Sequence, residues 1–286
     1  SASLNESELA FSRNPVKAYG FAPYTEMFDI FSRQMIKGIG DFSKFSFPLK
    51  EKNNWSMYEE EKERYNELDP SEVLYLLKDK KIVDSVLRYP WQGSRHDTYS
   101  FIGEDFFVSG GSYGTLEAYD YKANLISRFV GHEGDVRSIT TSANGNFMIT
   151  SGTDMTIRVW PIDEIGKDKG DVNAIYPVAS IFIAENNEWV IWNNDGYFTS
   201  SKKGAIYVGY HVNQGKGKEA KFYPFDQFDI KYNRPDIILK SLGVADSGTI
   251  DLYERAYIKR LKRMGMTDDD LQTDIHAPNL NIVNYQ

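Results

Sequence analysis

Short runs of alternating hydrophobic and polar residues recur along the first two thirds of the chain. Clear examples are residues 42–47, 73–77, 82–87, 106–108 and 156–160. Such runs, rich in aromatic and β-branched residues and separated by Gly, Asn and Asp, are typical of antiparallel strands joined by tight turns. The pattern therefore predicts an all-β structure up to about residue 212.

Beyond residue 212 the apolar residues return at a different spacing. In segments 225–242 and 251–264 they recur about every third or fourth position, which is the period of an amphipathic helix. Pro235 is suited to the first turn of a helix, and Gly243 follows the expected end of that helix. We therefore expect two helices packed outside the strands.

One segment carries a recognisable order of residue types. A Gly-His pair ends at His132, a strand contains Thr150, a turn contains Asp154, and a further strand ends at Trp160. This order resembles a WD repeat, one blade of a β-propeller with a period of about 40 to 45 residues. Pro161 stands where the repeat has its aspartate, and a proline is tolerated there because the strand is ending.

The resemblance implies a structural network for these side chains. In WD repeats the loop histidine joins a turn aspartate, a strand Ser or Thr, and the indole N–H of the strand tryptophan, which corresponds to His132, Asp154, Thr150 and Trp160. Buried polar groups need such partners. An Asp-His-Thr set also suggests a hydrolase triad, but the spacing favours the structural interpretation.

A second, less complete copy lies upstream. When the last strands are aligned, Tyr119 takes the place of the tryptophan and Ser109 that of the threonine, and His96 is the expected histidine. Tyr113 falls where the aspartate should be, so this network is expected to be incomplete. His96 and His132 are 36 residues apart, which is close to one blade period.

Residues 187–236 resemble the segment that closes the propeller in prokaryotic WD-repeat proteins, which often continue into a caspase-like peptidase domain. The resemblance to these proteins covers roughly residues 90–243. The strand 189–192 and the turn Asn194-Asp195-Gly196 fit a last blade followed by a helical exit. A caspase-like site needs a His-Cys dyad, and this chain contains no cysteine. No catalytic residue is therefore expected here.

The expected fold class is an all-β, WD40-type β-propeller, partial or irregular, followed by a short α-helical segment. Residues 1–33 are left unassigned, and 34–212 are expected to form the blades, with 95–212 best supported. A helical exit is expected at 213–266, and a linker with the first strand of another domain at 267–286.

Further blades are predicted from strand alternation alone. Possible blades upstream run through 35–58 and 73–91, and a further one begins within 176–199. The charged stretch 59–64 is interpreted as either a short surface helix or a solvated insertion, with its charges facing water in both cases.

Composition narrows the classes of partner. The net charge of −8 and the pI near 5.2 argue against nucleic acid as a partner, because a phosphate-binding face usually carries excess Lys and Arg. With no cysteine there is no disulfide or thiolate site, and no cofactor or metal is expected. No apolar run reaches the roughly 20 residues of a transmembrane helix, so a soluble protein of the cytoplasm or periplasm is expected.

Four other features are interpreted as structural or solvated rather than functional. The loop 215–218 lacks the flanking residues of a phosphate-binding loop, and Asp268-Asp269-Asp270 lacks the glycine and closing glutamate of a calcium loop. His211 is expected to pack and hydrogen-bond, and Arg234 to anchor a carboxylate or cap the exit helix.

These features lead to two function hypotheses. The first is a non-catalytic protein–protein interaction scaffold that belongs to a larger complex, because rigid blades present loops at low ordering cost. The second is the regulatory propeller part of a caspase-like protease whose catalytic domain lies outside this chain. A propeller enzyme with a site in its central channel would need a convergent set of acids, bases or metal ligands, which the sequence does not show.

Overall fold

The computed structural model describes residues 1–13, 24–36, 41–63, 72–89, 95–167, 171–212 and 219–267. The chain divides into two compact units, residues 1–182 and 183–286. Strands fill the first unit, and helices occur in the second, after residue 228. The predicted division into an all-β part and a C-terminal helical segment is confirmed.

The described part of the first unit contains four sheets, whose strands are antiparallel and follow one another in chain order except for one parallel strand in the third sheet. The first sheet comprises β1 (Ala2–Asn5), β2 (Glu8–Phe11), β3 (Glu26–Asp29) and β4 (Gln34–Met35). The second comprises β5 (Glu51–Lys52), β6 (Trp55–Glu61), β7 (Glu72–Lys78) and β8 (Lys81–Arg88).

The third sheet comprises β9 (Thr98–Ile102), β10 (Phe106–Gly110), β11 (Leu116–Asp120) and β12 (Leu125–Phe129). The fourth contains β13 (Val136–Thr141), β14 (Phe147–Gly152), β15 (Ile157–Pro161) and β17 (Ala179–Ile183). Between these last two strands, β16 (Asn173–Ile175) pairs in parallel with β12 as a fifth strand of the third sheet.

The third and fourth sheets repeat the same local design. Tyr119 pairs with Phe107 in the third sheet, and Trp160 pairs with Met148 in the fourth, in the same antiparallel register. The alignment of the two copies made on the sequence therefore corresponds to equivalent positions in two successive sheets.

Apolar side chains that alternate along the strands pack between the sheets, which is how sheets bury their shared faces. The core between the second and third sheets consists of Met57, Leu74, Leu76, Val86, Tyr99, Phe101, Phe107 and Tyr119. The core that joins the third and fourth sheets includes Ile102, Val108, Leu116, Phe129, Val136, Ile139, Met148, Trp160, Ile165 and Ile175.

The first sheet also contacts the fourth sheet, although they are far apart in the sequence. The backbone N–H of Ala2 donates to Ser138 Oγ at 3.3 Å, and Thr140 Oγ1 donates to the carbonyl of Ala2 at 2.9 Å. The N–H of Ala143 donates to the carbonyl of Leu4 at 3.0 Å. Strand β1 thus lies beside β13 within the first unit.

Several local expectations for the N-terminal half differ from the structure. Residues 1–33, left unassigned, contain most of the first sheet. The two possible blades at 35–58 and 73–91 do not form separate sheets, because β5 and β6 from the first range pair with β7 and β8 from the second in one sheet. Segment 42–47 contains a turn and irregular backbone instead of the expected strand. Glu59 to Glu61 of the charged stretch belong to β6, where edge exposure accommodates their charge.

The second unit contains β18 (Trp189–Trp192), β19 (Phe198–Ser200), β20 (Gly209–Val212) and β21 (Lys221–Pro224). Its helices are α1 (Asp229–Tyr232), α2 (Pro235–Leu242) and α3 (Ser247–Arg263). Asp246 caps α3 by accepting a hydrogen bond from the N–H of Thr249 at 2.9 Å.

The predicted second helix matches α3 closely, whereas the first predicted helix, 225–242, is broken. A short 3₁₀ segment and α1 precede α2, because Pro235 cannot continue a helix from its N-terminal side and restricts the residue before it. The N–H of Arg234 donates instead to the carbonyl of Phe198 at 2.8 Å. The expected strand at 281–283 and the polar stretches 215–218 and 268–270 lie outside the described residues.

Candidate functional site

The four residues assigned to the WD-type network lie together in the fourth sheet. Trp160 Nε1 donates to Thr150 Oγ1 at 2.8 Å, and Thr150 Oγ1 lies 2.7 Å from His132 Nε2. His132 Nδ1 lies 2.9 Å from Asp154 Oδ2. Trp160 and Thr150 are fully buried, so this chain of bonds satisfies polar groups that water does not reach.

The protonation of the network follows from burial and from its hydrogen bonds. Burial lowers the pKa of His132, although its hydrogen bond to Asp154 opposes the shift. Burial alone would raise the pKa of Asp154, but the hydrogen bond and charge of His132 and the bonds from Thr156 lower it. A neutral His132 donates from Nδ1 to the carboxylate and accepts the Thr150 hydroxyl proton at Nε2.

Further groups join this network that the sequence pattern did not indicate. Thr156 Oγ1 donates to Asp154 Oδ1 at 2.8 Å, and the N–H of Glu133 donates to Asp154 Oδ2 at 3.2 Å. Arg158 Nε donates to Thr156 Oγ1 at 3.2 Å. The alternation of Thr156, just before β15, with Arg158 and Trp160 in that strand was the available signal, because alternate residues share a face.

The upstream copy forms a different arrangement. His96 Nδ1 lies 2.7 Å from Ser109 Oγ, so the His–Ser link is present. Tyr119 does not bond to Ser109; its hydroxyl donates to Glu117 Oε2 at 2.6 Å. Tyr113 is 78% exposed on a single 3₁₀ turn and takes a left-handed conformation with φ 56°. The set His96, Ser109 and Tyr119 is therefore not one chain of bonds.

Arg88, at the end of β8, joins the two parts of that arrangement. Its guanidinium is buried and donates to the carbonyls of Arg95 at 2.5 Å and Ser109 at 2.9 Å. It also lies 3.7 Å from the Glu117 carboxylate. Arg88 has no signal in the sequence, because partners such as Ser109 and Glu117 come from another sheet and no local pattern indicates burial of a charge.

A cleft of about 920 Å³ opens beside Arg88, between β8 and the third sheet. Its charged wall consists of Arg88, Glu117 and Arg128, and Arg128 Nε donates to Glu117 Oε1 at 3.2 Å. Apolar lining comes from residues such as Leu87 and Val130, which are 44% and 45% exposed. Its volume lies within the range of small-molecule and peptide sites.

The polar residues of the two networks have no arrangement suited to hydrolysis. Thr150 is fully buried and already receives the Trp160 N–H, so a substrate carbonyl cannot approach its hydroxyl. Among the residues that the structure describes, no cluster of three or more His, Cys, Asp or Glu is placed to hold a metal ion. Within that same part of the chain, no helix is long and apolar enough to cross a membrane.

His211 and Arg234 lie in the second unit. His211 is exposed in β20, where its backbone pairs with Phe222, so the expected packed position is wrong. Arg234 Nε donates to Asp236 Oδ1 at 2.9 Å, and its guanidinium lies 4.2 Å from the centroid of the Tyr257 ring. Arg234 therefore anchors a carboxylate and links α2 to α3.

Comparison with known proteins supports the repeat. The family described as "WD domain, G-beta repeat" matches residues 123–161, which include the complete network. The resemblance to a WD40 repeat is thereby confirmed for this stretch. It covers a small part of the chain.

Curated relatives match over a similarly short region. Nuclear distribution protein PAC1 of Gibberella zeae is 32% identical over 63 residues, which is 22% of this chain and 14% of the relative. Nuclear distribution protein nudF 2 of Talaromyces marneffei has the same identity and coverage. The matched stretch thus spans about a seventh of these fungal proteins, and a prokaryotic or caspase-associated origin receives no support from them.

Solved structures show a weaker likeness. The crystal structure of the WD40 β-propeller domain of Doa1 has a TM-score of 0.27 and 21% identity, covering 43% of this chain and 41% of that chain. An active polycomb repressive complex 2 in the basal state has a TM-score of 0.33 and 12% identity, covering 52% of this chain and 34% of that chain. At these TM-scores neither structure adds to the assignment of fold or function.

Proposed function

We propose that this protein is a non-catalytic protein–protein interaction scaffold built on WD40-type sheets. The observation that carries the proposal is the buried chain from Trp160 through Thr150 and His132 to Asp154. It uses the polar residues of the repeat to hold the fourth sheet and the preceding loop in one geometry. A surface held in this way binds a partner with little loss of conformational entropy.

The charge of the chain supports protein partners over nucleic acid. Its formal net charge is −8, which disfavours approach of a polyanionic phosphate backbone. Exposed apolar residues such as Leu87, Val130 and Met155 lie on or between rigid strands of the first unit. Protein–protein interfaces bury apolar surface of this kind away from water.

Affinity capture with the immobilised 286-residue chain, followed by mass spectrometry, tests the proposal. A captured protein is then purified, and we expect it to form a saturable complex with the chain in calorimetric titration. A matched bait carrying Trp160→Ala identifies proteins that bind unfolded chains in general. The proposal fails if no captured protein saturates, or if the chain turns over peptide, ester or phosphate substrates and a point mutation abolishes that turnover.

The alternative function is the regulatory propeller part of a caspase-like protease. It is supported by the resemblance of residues 187–236 to the closing segment of such proteins and by the helices that follow β21. The family match and the fungal relatives support the repeat without the protease. Sequencing the gene beyond the codon for Gln286 distinguishes the two hypotheses, because a protease requires a downstream His and a later Cys in a caspase-like domain.

A further inference from the structure

The outer edge of the third sheet is covered by a segment of the same chain. Strand β16 adds to β12 in parallel, with Ser127 opposite Asn173 and Phe129 opposite Ile175. Ser127 Oγ donates to Asn173 Oδ1 at 2.6 Å, and the N–H of Val130 donates to the carbonyl of Ile175 at 2.8 Å. The edge of β12 is therefore extended by a short strand from elsewhere in the same chain.

The second sheet presents an equivalent edge at β8. Among the residues that the structure describes, no strand pairs with its outer side. Arg88 ends β8 and interacts with Tyr119, just as Phe129 ends β12 and packs on Trp160 with ring centroids 5.4 Å apart. The cleft of about 920 Å³ lies along this edge, in the position that β16 occupies one sheet later.

The place that β16 occupies beside β12 and the cleft beside β8 differ in the side chains that line them. Beside β12, Ile175 of β16 packs among apolar side chains that include Phe129 and Trp160. The cleft beside β8 is lined by two guanidinium groups, Arg88 and Arg128, and by one carboxylate, Glu117. Its wall therefore carries one net positive charge on a protein of net charge −8, and the Arg128 side chain is 60% exposed to an incoming group.

We propose that this cleft binds an extended segment of a partner protein that adds to β8 and places an Asp or Glu side chain against the exposed guanidinium of Arg128. The backbone of the segment pairs with the strand edge, as in β-augmentation. Leu87 and Val130 at the cleft contact the apolar neighbours of the acidic residue. This inference rests on the proposed scaffold function and specifies one of its binding sites.

A peptide derived from the chain's own edge-covering segment provides the probe. Fluorescein-labelled Val-Asn-Ala-Glu-Tyr-Pro copies residues 172–177 with Glu in place of Ile175, and its partner peptide carries Gln at that position. By fluorescence anisotropy with the full chain, we expect the Glu peptide to bind at least tenfold more tightly than the Gln peptide. Arg128→Gln should reduce this preference to less than threefold.

Arg255→Gln is the matched control, because Arg255 is an exposed arginine on α3 and does not line the cleft. It should keep the full preference for the Glu peptide. Equal losses in Arg128→Gln and Arg255→Gln would show general charge attraction and overturn the proposal. Equal binding of the Glu and Gln peptides would also overturn it.

Hydrogen exchange locates the bound peptide independently. Saturation with the Glu peptide should slow exchange of the backbone amides of residues 82–88 at least fivefold and leave β12 unchanged. Protection of β12 alone would mean that the peptide replaces β16, which contradicts the proposed site. If a captured partner saturates the chain without protecting β8, the scaffold function stands and this site is wrong.

Discussion

Equivalent residues in the third and fourth sheets have different bonding partners because their polar atoms lie at different distances from the backbone. The indole N–H of Trp160 lies within the ring and meets Thr150 on the neighbouring strand. The hydroxyl of Tyr119 lies at the far end of its ring and reaches Glu117 instead. Ser109 is therefore left to bond with His96 alone of the predicted set.

Removing members of the fourth-sheet network should cost stability in proportion to the volume and bonds lost. We expect Trp160→Ala to lower the free energy of unfolding by about 3 to 5 kcal/mol, because it empties a large buried volume. Asp154→Ala should cost about 1 to 3 kcal/mol by leaving His132 Nδ1 without its carboxylate. Urea unfolding measures both values, and a parental stability for Asp154→Ala would contradict the role assigned to the network.

The buried His96 should make stability depend on pH. Burial and the positive charge of Arg88 hold the pKa of His96 well below 6.5, so the folded protein keeps it neutral while the unfolded chain binds a proton. The stabilisation is present above about pH 6.5 and is lost as the pH falls, by at most about 2 kcal/mol from pH 7.5 to 5. His96→Asn should remove about that much of the pH dependence.

Urea unfolding of the parent and of His96→Asn at both pH values gives the comparison. Asparagine keeps a polar group near Ser109 Oγ and does not titrate in this range. His211→Asn is the control, since His211 is exposed, and it should leave the pH dependence as in the parent. An identical slope for His96→Asn and the parent would mean that His96 does not stay neutral in the folded protein.

The strands and helices differ in how strand edges are covered and how helix ends are capped. Strand β12 has its outer edge covered by β16, whereas β8 has no pairing strand there among the described residues. Helix α3 begins at a side-chain cap on Asp246 and holds its place through the buried Tyr257 and Leu261. Tertiary contacts of one face thus stabilise a helix whose other residues are mostly exposed.

The cap of α3 provides a test of that element. Asp246→Ala should lower the free energy of unfolding by about 0.5 to 2 kcal/mol, because the N–H of Thr249 loses its acceptor. Asp246→Asn should recover most of the loss, since asparagine also caps well. Circular dichroism at the helical band during thermal unfolding measures the change. Asp251→Ala, an exposed acid within α3, is the control and should cost less than Asp246→Ala.

In the first unit, the last sheet in the sequence also contacts the first. Ser138 accepts a hydrogen bond from β1, and Thr140 and Ala143 donate to it, so β13 and the turn after it are connected with β1. Such non-local pairing fixes the order of the sheets only after the whole unit has formed, because the closure of long loops costs chain entropy.

The absence of cysteine makes this contact directly testable. In the double variant Asn5→Cys with Ala143→Cys, a short bismaleimide should join the two thiols, because the carbonyl of Leu4 accepts the N–H of Ala143 at 3.0 Å. The linked chain should migrate faster than the unlinked chain in a denaturing gel. The pair Asn5→Cys with Ala174→Cys places one thiol on the third sheet and should remain unlinked. Equal linkage of the two pairs would contradict the contact between β1 and β13.

The features that sequence analysis located correctly depend on short-range order. Alternation identified the strands of the third and fourth sheets, helical spacing identified α3, and the residue order of one repeat identified the members of the Trp160 network. Each of these signals lies within one element or one repeat, where local geometry dictates which side chains share a face. Pro235 and Gly243 mark the start and the end of α2 as expected, whereas the predicted helix 225–242 begins too early because an apolar period continues on the N-terminal side of Pro235.

Other features required the tertiary structure. The burial of Arg88, the addition of β16 to β12 and the contact of β1 with β13 each join residues from different sheets. No local period records such a contact, because the burial of a charge or a strand edge depends on what the rest of the chain places beside it. The charged cleft beside β8 is a product of that placement: its arginines and its glutamate come from two sheets that the sequence alone did not bring together.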